Sequence, residues 1–313
     1  MSLWLVGAGP IAVEYSKVLY SMNIRHEVIG RGVESAKEFR EITGHHVHVG
    51  GLDVAISNLA VPRSAIVAVS VKDLANITCK LVGAGVARIL IEKPGGLNSK
   101  EILDIATIAS LHKSEVFIAY NRRFFSSTKL ARELIQRDDG VLSFFFDFTE
   151  WAHQIDTLDI DADIKSGWLL ANSSHVIDLA FHLCGFPKKI NAERSGSLSW
   201  HPKSSIFCGS GIADSGALFS YHANWGSPGR WGLEIMTKSK KIIFRPFERL
   251  HIVEHGSVQV EQVMIDDELD RKFKPGWYEQ TKAFIQSDDS LLCSIAEQME
   301  NCVIYDLIAG YSK

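Results

Sequence analysis

Short apolar runs alternate with amphipathic segments over the first 120 residues of this 313-residue chain. The runs are typical of strands, and the segments between them repeat apolar residues at the spacing of one helix face. The strand-like runs are LWLVG (3–7), HEVIG (26–30), AIVAVS (65–70), RILIE (88–92) and VFIAY (116–120). The helical segments cover 11–22, 33–43, 73–85 and 99–113. Continuously apolar strands suit a parallel sheet covered on both faces, so the pattern predicts a doubly wound α/β domain.

The pattern changes after about residue 124. Helices are predicted at 127–136 and 173–185, on either side of the run VLSFFFDFTEW (141–151). Alternating apolar and polar positions then predict strands within 188–196, 216–225, 231–237, 240–246, 249–255 and 257–265, and two helices follow at 277–286 and 295–308. We therefore predict two domains, 1–122 and 123–313, the second of α+β type with a large, mostly antiparallel open sheet. The C-terminal helices are candidates for packing back on the first domain.

Composition limits the possible partners. The net charge is −4, with 46% hydrophobic and 22% charged residues, which is typical of a globular chain and argues against nucleic-acid or membrane partners. The five cysteines are odd in number and form no CxxC pair, as expected in a reduced compartment. No apolar stretch reaches the ~18 residues of a membrane helix, and the first residues lack the basic start of a signal peptide. We expect a cytoplasmic protein.

The segment GAGPIA (7–12) follows a predicted strand and opens a predicted helix. Gly7 permits a tight turn, Gly9 lets the backbone approach a pyrophosphate, and Ala12 in place of a third glycine allows close packing. The start of the helix supplies unpaired N–H groups and a favourable dipole. The segment therefore predicts a dinucleotide site, and a plain strand–helix turn is the alternative. The candidate cofactor contacts are Gly7, Gly9, Pro10, Ile11, Gly30, Arg31, Ser70, Val71, Glu92 and Lys93.

The end of the second strand, VIGRG, bears on the type of dinucleotide. A site selective for NAD usually has an acid here that binds the ribose 2′-hydroxyl, and this chain has Gly30 and Arg31 instead. Arg31, with Ser35 near it, is suited to a 2′-phosphate. NADP is therefore the preferred cofactor and NAD the alternative. In the alternative, Arg31 is a solvated loop residue that stacks on the adenine.

Several motifs together resemble the Gfo/Idh/MocA family of oxidoreductases. They are GAGPIA (7–12), GRGVESAKEF (30–39), GAGVARILIEKP (83–94), AYNRRF (119–124), HVID (175–178) and YEQTKAFIQ (278–286). The resemblance implies a dinucleotide-binding Rossmann domain at 1–122 and a substrate-binding and oligomerisation domain at 123–313. It also implies NAD(P)-linked hydride transfer, usually on a sugar, a nucleotide sugar or a related polyol. A homodimer or homotetramer through the open sheet face is implied as well.

The resemblance assigns catalytic roles to Lys93 and His175. Lys93 would lie beside the nicotinamide, where an ammonium group stabilises and protonates a developing alkoxide. His175 would transfer a proton or bind substrate, and Asp178 would bind substrate hydroxyls or orient the site. Histidine has an intrinsic pKa suited to this task. The spacing of His175, Asp178 and His182 is too long for a metal site, so no metal is expected.

One position departs from the family pattern. Many members have Asp four residues before the histidine, and this chain has Ala171 there, followed by Asn172. Asn binds a hydroxyl but does not take a proton, so Lys93 and His175 would manage the proton alone. This favours a reductase of a ketone or imine over a broad polyol oxidase.

Further residues are candidates for the substrate site. Tyr120 and Arg122 follow the last strand of the first domain, where an arginine could bind a phosphate or carboxylate, or instead form a structural salt bridge. Trp168 could stack on a sugar face. The alternatives to a sugar reductase are a reductase of a non-sugar substrate, bilin-like or imine, and a non-catalytic protein that senses a dinucleotide.

Overall fold

The computed structural model describes residues 3–311 of the chain, and these form two compact units. The first unit extends to Tyr120 and also contains Trp277–Glu300. The second contains Asn121–Gly276 and the chain from Asn301 onward. The division after Tyr120 lies two residues from the predicted boundary, whereas the placement of Trp277–Glu300 makes both units discontinuous in sequence. The functions assigned to the two domains stay predictions.

The described residues form fifteen strands and twelve α-helices. The strands are β1 (Leu3–Val6), β2 (Glu27–Ile29), β3 (Val47–His48), β4 (Ser64–Val67), β5 (Arg88–Glu92), β6 (Glu115–Ala119), β7 (Ser143–Asp147), β8 (Pro187–Ser195), β9 (Ile206–Ala213), β10 (Leu218–Asn224), β11 (Gly232–Met236), β12 (Lys240–Phe244), β13 (His251–Glu254), β14 (Glu261–Gln262) and β15 (Cys293–Ser294). The α-helices are α1 (Pro10–Ser21), α2 (Val33–Thr43), α3 (Gly51–Asn58), α4 (Val71–Gly83), α5 (Ser99–His112), α6 (Ser126–Arg137), α7 (Ala152–Asp156), α8 (Ala162–Ser166), α9 (Ser174–Cys184), α10 (Glu268–Lys272), α11 (Trp277–Gln286) and α12 (Ile295–Ala309). A 3₁₀ turn covers Asn121–Phe124, and a π-helical turn covers Leu169–Ser173.

The sheet of the first unit is almost wholly parallel. Its order is β15-β6-β5-β4-β1-β2-β3, and only the pairing of β15 with β6 is antiparallel. All four residues of β1 are buried, as expected for a strand with helices on both faces of its sheet. The chain winds outward from β1 in both directions, so the carboxyl ends of β1 and β4 flank the switch point at which such folds bind ligands.

The second unit has an eight-stranded sheet with the order β14-β13-β12-β11-β7-β10-β9-β8. Only the β7–β10 pair is parallel. One face packs on α9 through aromatic rings, with the Phe181 ring 5.5 Å from that of Phe146 and 5.3 Å from that of Phe219. The opposite face leaves Leu218 and His222 exposed. This packing fixes the orientation of α9, which carries His175.

The predicted fold class is confirmed, with a doubly wound parallel sheet in one unit and a mostly antiparallel sheet in the other. The sequence pattern did not indicate β9, β15, α3 or the short helices α7, α8 and α10. The predicted strand within 257–265 was wrong for most of its length, where only Glu261–Gln262 is a strand. Among the described residues, no helix combines the length and the apolar character of a membrane span.

Candidate functional site

Only glycine fits at the first position of the turn between β1 and α1. Gly7 has φ +128°, and a Cβ there would lie 2.3 Å from the carbonyl oxygen of Ala68. Gly9 precedes α1, and a Cβ there would meet nothing within 4 Å, so the backbone borders open space. Pro10 begins the helix, whose first turn contains no acidic side chain. The positive end of α1 and its unpaired N–H groups therefore border this open space.

A cavity of about 630 Å³ lies in front of this helix start. The open position of Gly9 and the uncompensated helix end suit a pyrophosphate, so the residues present fit a bound dinucleotide. The predicted contacts that line the cavity are Gly7, Gly9, Pro10, Ile11, Gly30, Arg31 and Ser70. Val71, Glu92 and Lys93 do not line it, and their contact with a cofactor stays a prediction.

The cavity wall beyond the second strand carries charges of both signs. The Arg31 side chain is 85% exposed, and its Nη1 lies 3.7 Å from Oδ2 of Asp73. Lys80 donates hydrogen bonds of 2.8 and 2.7 Å to the carboxylate of Asp53. Ser35 also lines this wall, as the sequence predicts. Exposed ion pairs contribute little, so Arg31 can leave Asp73 for a phosphate at small cost.

The Glu92-Lys93-Pro94 turn follows the carboxyl end of β5 and is anchored at its first residue. The hydroxyl of Tyr15 on α1 donates a 2.7 Å hydrogen bond to Oε1 of Glu92, and Gln280 on α11 donates to the same hydroxyl at 3.2 Å. The ring of Trp277 stacks on Tyr15 at 4.5 Å. Burial and the adjacent Glu92 carboxylate raise the pKa of Tyr15, so its hydroxyl remains a donor.

The same turn is anchored again at Pro94. Nε2 of Gln298 donates to the carbonyl oxygen of Pro94 at 2.9 Å and contacts the hydroxyl of Tyr120 at 3.1 Å. The Lys93–Pro94 peptide bond is cis. Lys93 is half-buried, and the residues on both sides of it in the chain, Glu92 and Pro94, are held by hydrogen bonds. Tyr120, which the sequence suggests as a substrate contact, takes part in this support.

Two candidate residues lie on α9 in the second unit. His175 is 6% exposed, and its ring centroid lies 6.4 Å from that of Trp231. Asp178 forms a two-pronged ion pair with Arg123, whose Nε donates to Oδ2 at 2.9 Å and whose Nη2 donates to Oδ1. Both side chains are almost fully buried. These contacts favour a structural role for Asp178, and its predicted contact with substrate stays a prediction.

The π-helical turn before α9 places Asn172 beside a buried acid, Glu150, that the sequence pattern did not indicate as part of the site. Oε1 of Glu150 accepts from Asn172 Nδ2 at 3.0 Å and from the Ser173 hydroxyl at 2.8 Å. Oε2 accepts from Nη1 of Arg230 at 2.9 Å. Burial raises the pKa of Glu150, while these three donors favour its charged form. With its Nδ2 held, Asn172 presents Oδ1 as a hydrogen-bond acceptor.

The second unit therefore brings several candidates together around Trp231. Arg122 stacks on this ring, with its guanidinium carbon 4.7 Å from the ring centroid. The centroid of the His175 ring lies 6.4 Å from the same centroid. Trp168 is elsewhere in the unit, with its ring 6.2 Å from that of Trp200. Glu150 and Arg230 are 80 residues apart in sequence. The one local sign of their pairing is an acidic residue near the end of the apolar run 141–151.

Comparisons with known proteins show a shared fold and little shared sequence. No protein-family model matches the chain, and no curated protein matches it. Among solved structures, levoglucosan dehydrogenase in complex with NADH and levoglucosan is 19% identical, with TM-score 0.79 over 99% of this chain and 96% of that one. UDP-N-acetylglucosamine 3-dehydrogenase GnnA from Acidithiobacillus ferrooxidans is 15% identical, with TM-score 0.73 over 97% and 95%. An NAD-binding oxidoreductase from Klebsiella pneumoniae is 13% identical, with TM-score 0.75 over 99% and 96%. At such identities these likenesses establish the fold alone.

Replacing Asp178 with Ala should destabilise the protein by about 3–5 kcal/mol, because the charge of Arg123 would remain buried without its carboxylate. Urea unfolding measures this free energy. Asp159→Ala, at an exposed aspartate, is the matched control and should change it by less than about 0.5 kcal/mol. Unchanged stability of Asp178→Ala would contradict the structural role.

Proposed function

We propose that this protein is an NAD(P)-dependent oxidoreductase that transfers hydride between a nicotinamide cofactor and a carbonyl or alcohol carbon of a sugar, a nucleotide sugar or a related small molecule. The observation that carries the proposal is the open, glycine-lined start of α1 beside a 630 Å³ cavity. The anchored Lys93 turn follows β5 of the same parallel sheet, at the edge where the carboxyl ends of its strands lie. The nicotinamide and sugar ligands named for the structural neighbours support the same chemistry.

The residues of this chain have distinct roles in the proposed reaction. The cofactor, when bound, supplies or accepts the hydride. The ammonium group of Lys93 stabilises the negative charge that develops on the substrate oxygen and gives it a proton. His175 binds that oxygen or exchanges a proton with it. Asn172, held by Glu150, accepts a hydrogen bond from a substrate hydroxyl through Oδ1.

The proposed direction is reduction. Ala171 cannot take the proton that an alcohol loses on oxidation, whereas Lys93 can supply the proton that a reduced carbonyl needs. The preferred cofactor is NADP, since the exposed Arg31 and the neighbouring Ser35 line the cavity where a 2′-phosphate would be bound.

The cofactor proposal predicts that NADPH changes the tryptophan fluorescence, by quenching or by energy transfer to the nicotinamide, at a lower concentration than NADH does. Arg31→Ala should weaken NADPH binding roughly tenfold, through the loss of one charge-assisted contact, and leave NADH within about twofold. Arg137→Ala, which removes another exposed arginine, should change neither. A preference for NADH would overturn the NADP proposal, and failure to bind either cofactor would overturn the enzyme proposal.

The catalytic proposal predicts that Lys93→Met lowers the rate of NADPH-dependent reduction of a keto-sugar or nucleotide keto-sugar by about 10²–10⁴-fold, because the proton donor is lost. NADPH should still bind, with at most a severalfold loss of affinity for the predicted Lys93 contact, and this binding shows that the variant is folded. Lys100→Met, at an exposed lysine on α5, should keep the wild-type rate. Rapid oxidation of simple polyols with NADP⁺ by the wild type would contradict the proposed direction.

The open face of the second sheet is the proposed interface of a homodimer or homotetramer. Leu218 on β10 and Ile212 on β9 are paired across the strands and are 59% and 39% exposed. Light scattering should find the wild type as an oligomer, and Leu218→Asp should shift it toward the monomer because a charge would be buried in the interface. Leu111→Asp, at a leucine 77% exposed on α5, is the control and should leave the assembly unchanged. A monomeric wild type would exclude the interface.

A further inference from the structure

Two arginines stack on one tryptophan in the second unit. The guanidinium carbon of Arg122 lies 4.7 Å from the ring centroid of Trp231, and that of Arg230 lies 4.3 Å from it. Trp231 is 7% exposed, so its ring is a rigid support for both cations. Arg230 also stacks on Trp151 at 4.8 Å. Two guanidinium groups are thereby held in defined places near each other, despite their like charge.

The two cations differ in how their charge is balanced. Arg230 is paired with Glu150 at 2.9 Å. Among residues 3–311, no hydrogen bond or ion pair reaches the guanidinium of Arg122, and its Nε is buried without an acceptor. Burial and the neighbouring Arg230 lower the pKa of Arg122 to about 10, against the opposing effect of the Glu248 and Glu150 carboxylates, and this leaves Arg122 charged at neutral pH. A half-buried cation without an acceptor is costly unless a ligand supplies one.

A cavity of about 240 Å³ lies against this cluster. Its lining includes Arg122, Arg230, Arg245, Trp231, Phe247 and Glu248. The volume is below the ~300–1,000 Å³ of pockets that hold whole drug-sized ligands, so the cavity suits one substituent of a larger molecule. Glu248 is exposed and can turn toward water, and Arg245 lies 4.0 Å from Asp147 in a loose pair.

The cavity is close to the proposed chemistry. Trp231, which forms part of its wall, lies 6.4 Å from the His175 ring, centroid to centroid. A substituent bound by Arg122 would therefore belong to the molecule whose reacting carbon is near His175. Planar guanidinium groups bind carboxylates and phosphates through paired hydrogen bonds, and a fixed pair of them prefers an oxyanion to a hydroxyl.

We propose that this cavity binds an oxyanion group of the substrate, a carboxylate or a phosphate, through Arg122 with the help of Arg230 and Arg245. The substrate is then an acidic sugar or a phosphorylated sugar derivative and not a neutral polyol. The assignment of the anion to a sugar substrate rests on the proposed function, whereas the binding of an oxyanion does not.

The test uses the two smallest probes, inorganic phosphate and ¹³C-labelled acetate, with the whole protein at constant ionic strength. Line broadening of the ³¹P and ¹³C signals measures binding. The cofactor cradle is also expected to attract phosphate, but its contribution is the same in the wild type and in the cavity variants, so the difference between them measures binding at the cavity. Arg122→Met should lower the affinity of the cavity for the probes at least tenfold, through the loss of one charge-assisted contact. Arg137→Met removes an exposed arginine of α6 and should change nothing.

Arg245→Met keeps the experiment decisive if Arg122→Met fails to fold, because the Arg245 side chain is half exposed and its loss should leave the fold intact. It should weaken binding severalfold. A larger effect on phosphate assigns a phosphorylated substrate, and a larger effect on acetate assigns a carboxylate. Binding of both probes that is the same in the wild type and in both cavity variants would overturn the proposal. If NADPH does not bind but the arginine-dependent anion binding is present, the proposed function fails and the oxyanion site stands.

Discussion

The hydrogen bond from Tyr15 to Glu92 is the contact on which the first unit's proposed chemistry depends. The backbone pairing of β5 with its neighbouring strands ends at Glu92, so the residues after it need support from elsewhere. Tyr15 holds the first residue of the Glu92-Lys93-Pro94 turn, and Gln298 holds the last. Gln298 comes from Trp277–Glu300, so this late segment of the chain supports the turn within the first unit. The motif YEQTKAFIQ contains Gln280, which in turn fixes the Tyr15 hydroxyl.

Two adjacent arginines in the second unit show how environment separates residues with the same chemistry. Arg123 is neutralised by both oxygens of Asp178 and contributes to the stability of the packing between α9 and the 3₁₀ turn. Arg122, one residue earlier, stacks on Trp231 and has no carboxylate in direct contact among the described residues. A buried arginine that is already paired with a carboxylate has little capacity for a further anion. An arginine without a carboxylate in direct contact gains from binding one. The sequence NRRF alone does not show which arginine is which.

The sequence predicted those elements whose local pattern and burial agree. The bounds of α2, α11 and β5 coincide with the predicted 33–43, 277–286 and 88–92. Strand β9 was missed because Gly209 and Gly211 weaken its pattern. A Cβ at Gly209 would lie 2.3 Å from the ring of Tyr221, and one at Gly211 would lie 2.0 Å from the carbonyl oxygen of Lys189 and 2.5 Å from the ring of Phe219. The glycines are therefore required by the close approach of β8 and β10 and not by a turn. The converse holds at 257–265, where the pattern alternates but Val258 is 96% exposed and has no core to face.

The candidate site was predictable where a motif places all its atoms within a few residues, as the glycine loop does. The contacts of Asn172 and Arg230 with Glu150 were not predictable, because these partners are 22 and 80 positions apart in sequence. These contacts bear on the acid that is missing at 171. A carboxylate offers about four lone-pair directions, and donors from Asn172, Ser173 and Arg230 take three of them. The fourth direction stays open, but the pairing with Arg230 and the hydrogen bonds from Asn172 and Ser173 all favour the charged form of Glu150. We therefore assign Glu150 the role of orienting Asn172 and not that of the absent acid. The proton chemistry of the proposed reaction accordingly remains with Lys93 and His175.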